Sequence, residues 1–183
     1  MRNFSVDPNV YIIFAALCFL IPLPWLISWS VAVCFHEFCH LAAVKVNGGS
    51  VRSFTLRLSG ANIESVDLSD NGYLLSVLAG PIGGLALVSL GRWLPRIAIC
   101  SWVLSVYNLL PVLPLDGGQA IRILLKNDSL LYVLQNIVLI IISVLAIYLC
   151  FYLRIGPLPL VTAISLWVKN RKRPCKETLC GVQ

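Results

Sequence analysis

Apolar runs separated by short polar or proline-containing breaks dominate the chain, at about 10–23, 24–45, 73–90, 97–110, 129–153 and 157–168. Several approach the roughly 20 residues that a helix needs to cross the hydrocarbon layer, and the shorter ones imply tilted or irregular spans. Pro22 and Pro24 break the first run. Pro24 suits the first turn of a second helix, which ends at Lys45 before the turn signal Asn47-Gly48-Gly49. Over 50–70 the period changes to two: Phe54, Leu56 and Leu58 alternate with Ser53, Thr55 and Arg57, and a weaker alternation runs through Ile63, Val66 and Leu68. This predicts an amphipathic β-hairpin at the membrane surface. The expected fold is an all-α polytopic membrane protein with about six transmembrane segments and a membrane-associated β-hairpin between segments 2 and 3.

Two apolar regions depart from simple helix. The third run contains Ala79-Gly80-Pro81-Ile82-Gly83-Gly84, in which Gly80 and Gly84 form a small-xxx-small pair. That predicts close packing against the preceding helix. The fourth run passes into Asn108-Leu109-Leu110-Pro111-Val112-Leu113-Pro114-Leu115-Asp116-Gly117-Gly118, where two prolines and a glycine pair end regular helix. Irregular backbone beside an apolar layer is tolerated only where protein buries it or water lines it. Residues 119–128 are mixed in polarity and expected at the interface.

Composition reinforces the membrane reading. Of 183 residues, 58% are hydrophobic and 12% charged, against about 25% charged in soluble domains. A net charge of +6 would suggest nucleic acid in a soluble protein, but here the basic residues lie in connectors and in the tail from Lys169. With six crossings, eleven Lys and Arg fall on one side and three (Arg92, Arg96, Arg154) on the other. The positive-inside rule then puts both termini in the cytoplasm and disfavours nucleic-acid binding. The chain divides into a membrane domain, 1–168, and a basic cytoplasmic tail, 169–183, suited to anionic lipid. Five of the seven cysteines sit in apolar runs, so no disulfide framework is implied.

Candidate chemistry is concentrated in one place. The protein's two histidines, His36 and His40, stand four apart with Glu37 after the first. On a helix both imidazoles share a face, within reach of one metal ion. Of the eight carboxylates only Glu37 and Asp116 are embedded in or flanked by apolar sequence. Ionisable groups at membrane depth cost at least about 2.5 kcal/mol each and mark function by default. Two histidines and a carboxylate make three zinc ligands and leave a fourth position for water, the arrangement of a catalytic site. With the second and fourth segments both running toward the cytoplasm, Asp116 emerges on the side where His40 lies about 8 Å inside Lys45. His36, His40 and Asp116 are the expected ligands of one Zn2+ per chain, Glu37 the general base, and Asn108 a donor to substrate or oxyanion. Cys34 and Cys39 are alternative soft ligands. A metal transporter and a zinc-stabilised scaffold are competing classes; a pathway would need ligands at several depths, and a structural site has no use for Glu37.

His36-Glu37-x-x-His40 in an apolar helix, then Asn108-x-x-Pro111 and Asp116-Gly117, resembles the site-2 protease family of intramembrane zinc metalloproteases. Ala79-Gly80-Pro81 between these motifs is similar to the compact sporulation-protease branch, which lacks a PDZ domain. The likeness covers residues 24–120. It implies a hydrolase of the bacterial cell membrane that cuts membrane-anchored protein substrates within or near their transmembrane segment, with a membrane-protein regulator as a further partner. The strand over 51–58, with Phe54 and Leu56, is expected to offer a free edge that pairs with unwound substrate and holds it extended.

Overall fold

The computed structural model describes residues 3–6, 21–57, 60–66, 68–152 and 158–171. Most of the first expected segment, 10–23, and residues 172–183 of the expected tail lie outside them. The chain separates into two compact units, Met1–Leu109 and Leu110–Gln183.

The first unit contains β1 (Asn3–Val6), α1 (Leu23–Val46), β2 (Ser50–Arg57), β3 (Gly60–Val66), α2 (Asp70–Val88), a 3-10 turn (Ser89–Arg92) and α3 (Pro95–Asn108). Pro24 occupies the first turn of α1, where its missing N–H costs nothing. The helix stops at Asn47, whose Nδ2 donates to the Ala43 carbonyl at 2.7 Å. Gly48 follows with φ +79°, a conformation that glycine adopts without strain. Ser69 caps α2 by accepting from the Gly72 N–H at 3.2 Å. The three helices pack pairwise, each against both others.

Side-chain burial on α1 is inverted relative to a soluble protein. Its buried positions are Leu26, Ser28, Ala32, His36, His40 and Val44, whereas Trp25, Ile27, Trp29, Val31, Phe35 and Phe38 face outward. From Ser28 to Val44 the buried residues recur every fourth position, so one helical face is given to small and polar groups. The outward face suits lipid.

The sheet corrects one expectation. Its order is β1-β2-β3, with β1 parallel to β2 and β2 antiparallel to β3. Phe54 stands opposite Phe4 on one side and Ile63 on the other, and Leu56 opposite Val6 and Ala61. Over Ser53–Leu56 β2 is therefore the central strand and has no free edge to offer. Alternation reveals that a segment is a strand but not how many neighbours it has, and the four-residue β1 is too short to declare itself in sequence.

In the second unit, residues 110–115 are irregular and lead to α4 (Asp116–Leu125), α5 (Asp128–Phe151) and α6 (Leu158–Arg171). The mixed-polarity stretch expected at an interface thus forms part of a 10-residue helix. The Asn127 side chain caps α5 by accepting from the Ser129 and Leu130 N–H groups at 3.1 and 3.3 Å. Helices α5 and α6 are tied by Trp167 Nε1, which donates to Ser143 Oγ at 3.0 Å.

Among the described residues, three helices are long and apolar enough to cross a membrane: Leu23–Val46, Asp70–Arg92 and Ser129–Phe151. Helices α3 and α6, at 14 residues each, would extend only about 21 Å.

Candidate metal centre

Regular helix delivers the two histidines. Four residues apart on α1, they face the helical interior of the first unit and are 3% and 9% exposed. Their rings meet edge to face, with centroids 4.7 Å apart and planes at 81°. The two Nε2 atoms lie 3.1 Å from one another.

One tautomer can be assigned from chemistry. His40 Nδ1 is 2.7 Å from the Ser76 carbonyl oxygen on α2. A carbonyl only accepts, so Nδ1 carries the proton and Nε2 presents its lone pair toward His36. Metal-bound histidines are held in this way, with the second nitrogen donating to a backbone or carboxylate oxygen. The 3.1 Å between the nitrogens is also close to the roughly 3.3 Å that separates two imidazole ligands at tetrahedral angles around zinc. Donor set and geometry both fit a zinc ion.

Helix α2 makes room for the pair. A Cβ on Gly80 would overlap the His40 imidazole, one on Gly83 would overlap Cys39 Sγ, and one on Gly84 would overlap Ser105 Oγ of α3. The glycine pair expected to pack against the histidine helix therefore has divided duties. Gly80 faces α1 and Gly84 faces α3.

Asn108 is the last residue of α3. Its Nδ2 is 3.4 Å from His36 Nε2, putting a polar amide beside the histidine pair. Glu37 is half-buried next to His36 on α1. Cys39 is half-buried against Gly83, and Cys34 is exposed.

Asp116 opens α4 and is half-buried. A carboxylate in a first helical turn is favoured by the unsatisfied N–H groups there. Its approach is fixed tightly: Gln119 Nε2 donates to the Pro114 carbonyl at 3.1 Å, and a Cβ on Gly118 would strike the Val112 and Leu113 backbone. His36 and His40 are thus the potential metal ligands of the first unit, and Asp116 is a half-buried carboxylate of the second. Phe54 and Leu56 lie within β2.

Sequence reasoning missed Ser76. The small residues of this segment were expected to serve tight packing or, alternatively, to line substrate with backbone, and Gly72, Ser76, Gly80 and Gly84 recur every fourth residue, marking one continuous close-approach face.

No family model and no curated protein sequence matches this chain. Among solved structures it is similar to the site-2 protease from Methanocaldococcus jannaschii, at 20% sequence identity and a TM-score of 0.61, over 93% of this chain and 90% of that one. At that identity the likeness is one of fold.

Proposed function

We propose that this protein is an intramembrane zinc metalloprotease that hydrolyses peptide bonds of membrane-anchored proteins within or near their transmembrane segment. The observation that carries the proposal is the His36–His40 pair, with Nε2 atoms 3.1 Å apart on an apolar helix. The site-2 protease fold supports it independently. His36, His40 and Asp116 would hold one zinc ion. When bound, zinc lowers the pKa of a coordinated water toward about 7 and polarises the scissile carbonyl.

The chain's own groups do the rest. Glu37, one residue from a ligand, takes the proton of the attacking water and passes it to the leaving amine. The Asn108 amide, beside His36, donates to the substrate carbonyl as negative charge develops on its oxygen. Because β2 is paired on both sides over Ser53–Leu56, extended substrate meets the sheet at Phe54 and Leu56 without adding there as a neighbouring strand.

In this reading the chain crosses a bacterial cell membrane about six times, with both termini cytoplasmic and a basic tail from residue 169. Ala79-Gly80-Pro81 favours the compact branch that includes stage IV sporulation protein FB, with a membrane-protein regulator as a second partner.

Glu37→Gln, tested with a single-span membrane substrate, addresses the proposal. Zinc should remain at one per chain while cleavage stops. Cleavage at the unaltered rate would refute the role of Glu37.

A further inference from the structure

We infer that Gly80 is a positioning residue for His40: by leaving the Ser76 carbonyl bare, it fixes the His40 tautomer and aims Nε2 at the metal. The inference rests on the zinc site proposed above. It assigns Gly80 a task other than the helix packing or substrate lining that its sequence context suggested.

Side chains on an α-helix lean toward its N-terminus, so the residue at i+4 lies over the carbonyl of residue i. On α2 the residue four after Ser76 is Gly80. With no side chain there, the Ser76 carbonyl is open from the side, and its second lone pair can accept a bond from outside the helix. His40 fills that opening: its Nδ1 donates to Ser76 O at 2.7 Å, and its ring occupies the space that a Gly80 Cβ would need. The Ser76 hydroxyl takes no part, since it donates back to Gly72 O at 2.7 Å. The functional group is the backbone carbonyl, and Gly80 is what exposes it.

Gly83 supplies an internal control. A Cβ there would crowd the same two helices, but against Cys39 Sγ instead of a metal ligand. The test compares full-length Gly80→Ala, Gly83→Ala and Ser76→Ala with the unaltered chain in detergent. Zinc affinity is measured by chelator competition, and ligand geometry by the visible spectrum of the cobalt-substituted protein. Gly80→Ala should weaken zinc by about 10- to 100-fold, the usual cost of losing an outer-shell partner, and alter the cobalt spectrum. Gly83→Ala and Ser76→Ala should stay within about twofold of the unaltered protein with an unchanged spectrum.

A readout on the unaltered chain does not require Gly80→Ala to fold. The protein has two histidines, so 15N-histidine NMR of the zinc-loaded chain should show a solvent-protected Nδ1–H from His40, identified by its loss in His40→Asn. An Nε2–H tautomer at His40, or equal weakening by Gly80→Ala and Gly83→Ala, would overturn the inference. Failure of the unaltered chain to bind one zinc would refute the proposed function itself. Zinc binding that Gly80→Ala leaves intact would remove only the role of Gly80.

Discussion

His36 and His40 on the one hand, and Asp116 on the other, reach their places by opposite means. The histidines ride a regular 24-residue helix, where four-residue spacing alone puts both rings on one face. Asp116 follows the irregular stretch 110–115 and begins a new helix, so its position depends on a local backbone path. That path is held by the Gln119 amide on the Pro114 carbonyl and by the close approach of Gly118 to Val112 and Leu113. If these residues hold zinc as proposed, the two on a regular helix should tolerate neighbouring substitutions, whereas the one at the end of an irregular stretch should be lost by changes to residues that never touch metal.

The largest expected effect breaks the regular half directly. His40→Ala should abolish stoichiometric zinc binding and cleavage together while leaving helix content by circular dichroism unchanged, because alanine is the better helix former. Next, Gly118→Ala probes the irregular half. Its Cβ would meet backbone atoms that cannot rotate away, so zinc affinity should fall by about 10- to 100-fold, comparable to losing an outer-shell partner. Alanine at the exposed helical position Phe38, close in sequence to the histidines, should leave zinc affinity within about twofold, and that contrast is the comparison in its sharpest form.

Smaller effects concern substrate. Asn108→Ala should lower kcat by roughly tenfold with zinc content unchanged, as expected for loss of one donor to developing charge. Phe54→Ala combined with Leu56→Ala should raise KM a few-fold, about the effect of removing modest apolar contact area, and leave kcat and zinc unaltered.

The same contrast explains what could be read from the sequence. The histidine pair, Glu37 and the bounds of α1 follow from helical period, proline and turn chemistry, all of which are local. Asp116 was found by elimination among carboxylates, since few acidic residues sit beside apolar sequence. The role of Ser76 was hidden because it acts through its backbone, and a carbonyl leaves no mark in residue type. Gly80 did leave a mark, but small-residue spacing has the same appearance whether a glycine admits a helix or an imidazole. The central position of β2 was equally invisible: β1 lies 47 residues before it by the Asn3–Ser50 starts of the two strands, and no periodicity encodes so distant a pairing.

The central claim is tested most directly by measuring zinc content and cleavage on the same vesicle preparations. The metal is stripped from the full-length chain, which is then titrated with zinc in the presence of a single-span substrate. Cleavage should be absent in the stripped protein, rise in proportion to bound zinc and level off at one ion per chain. Cleavage that proceeds without bound metal, or that does not change as zinc is restored, would contradict the account.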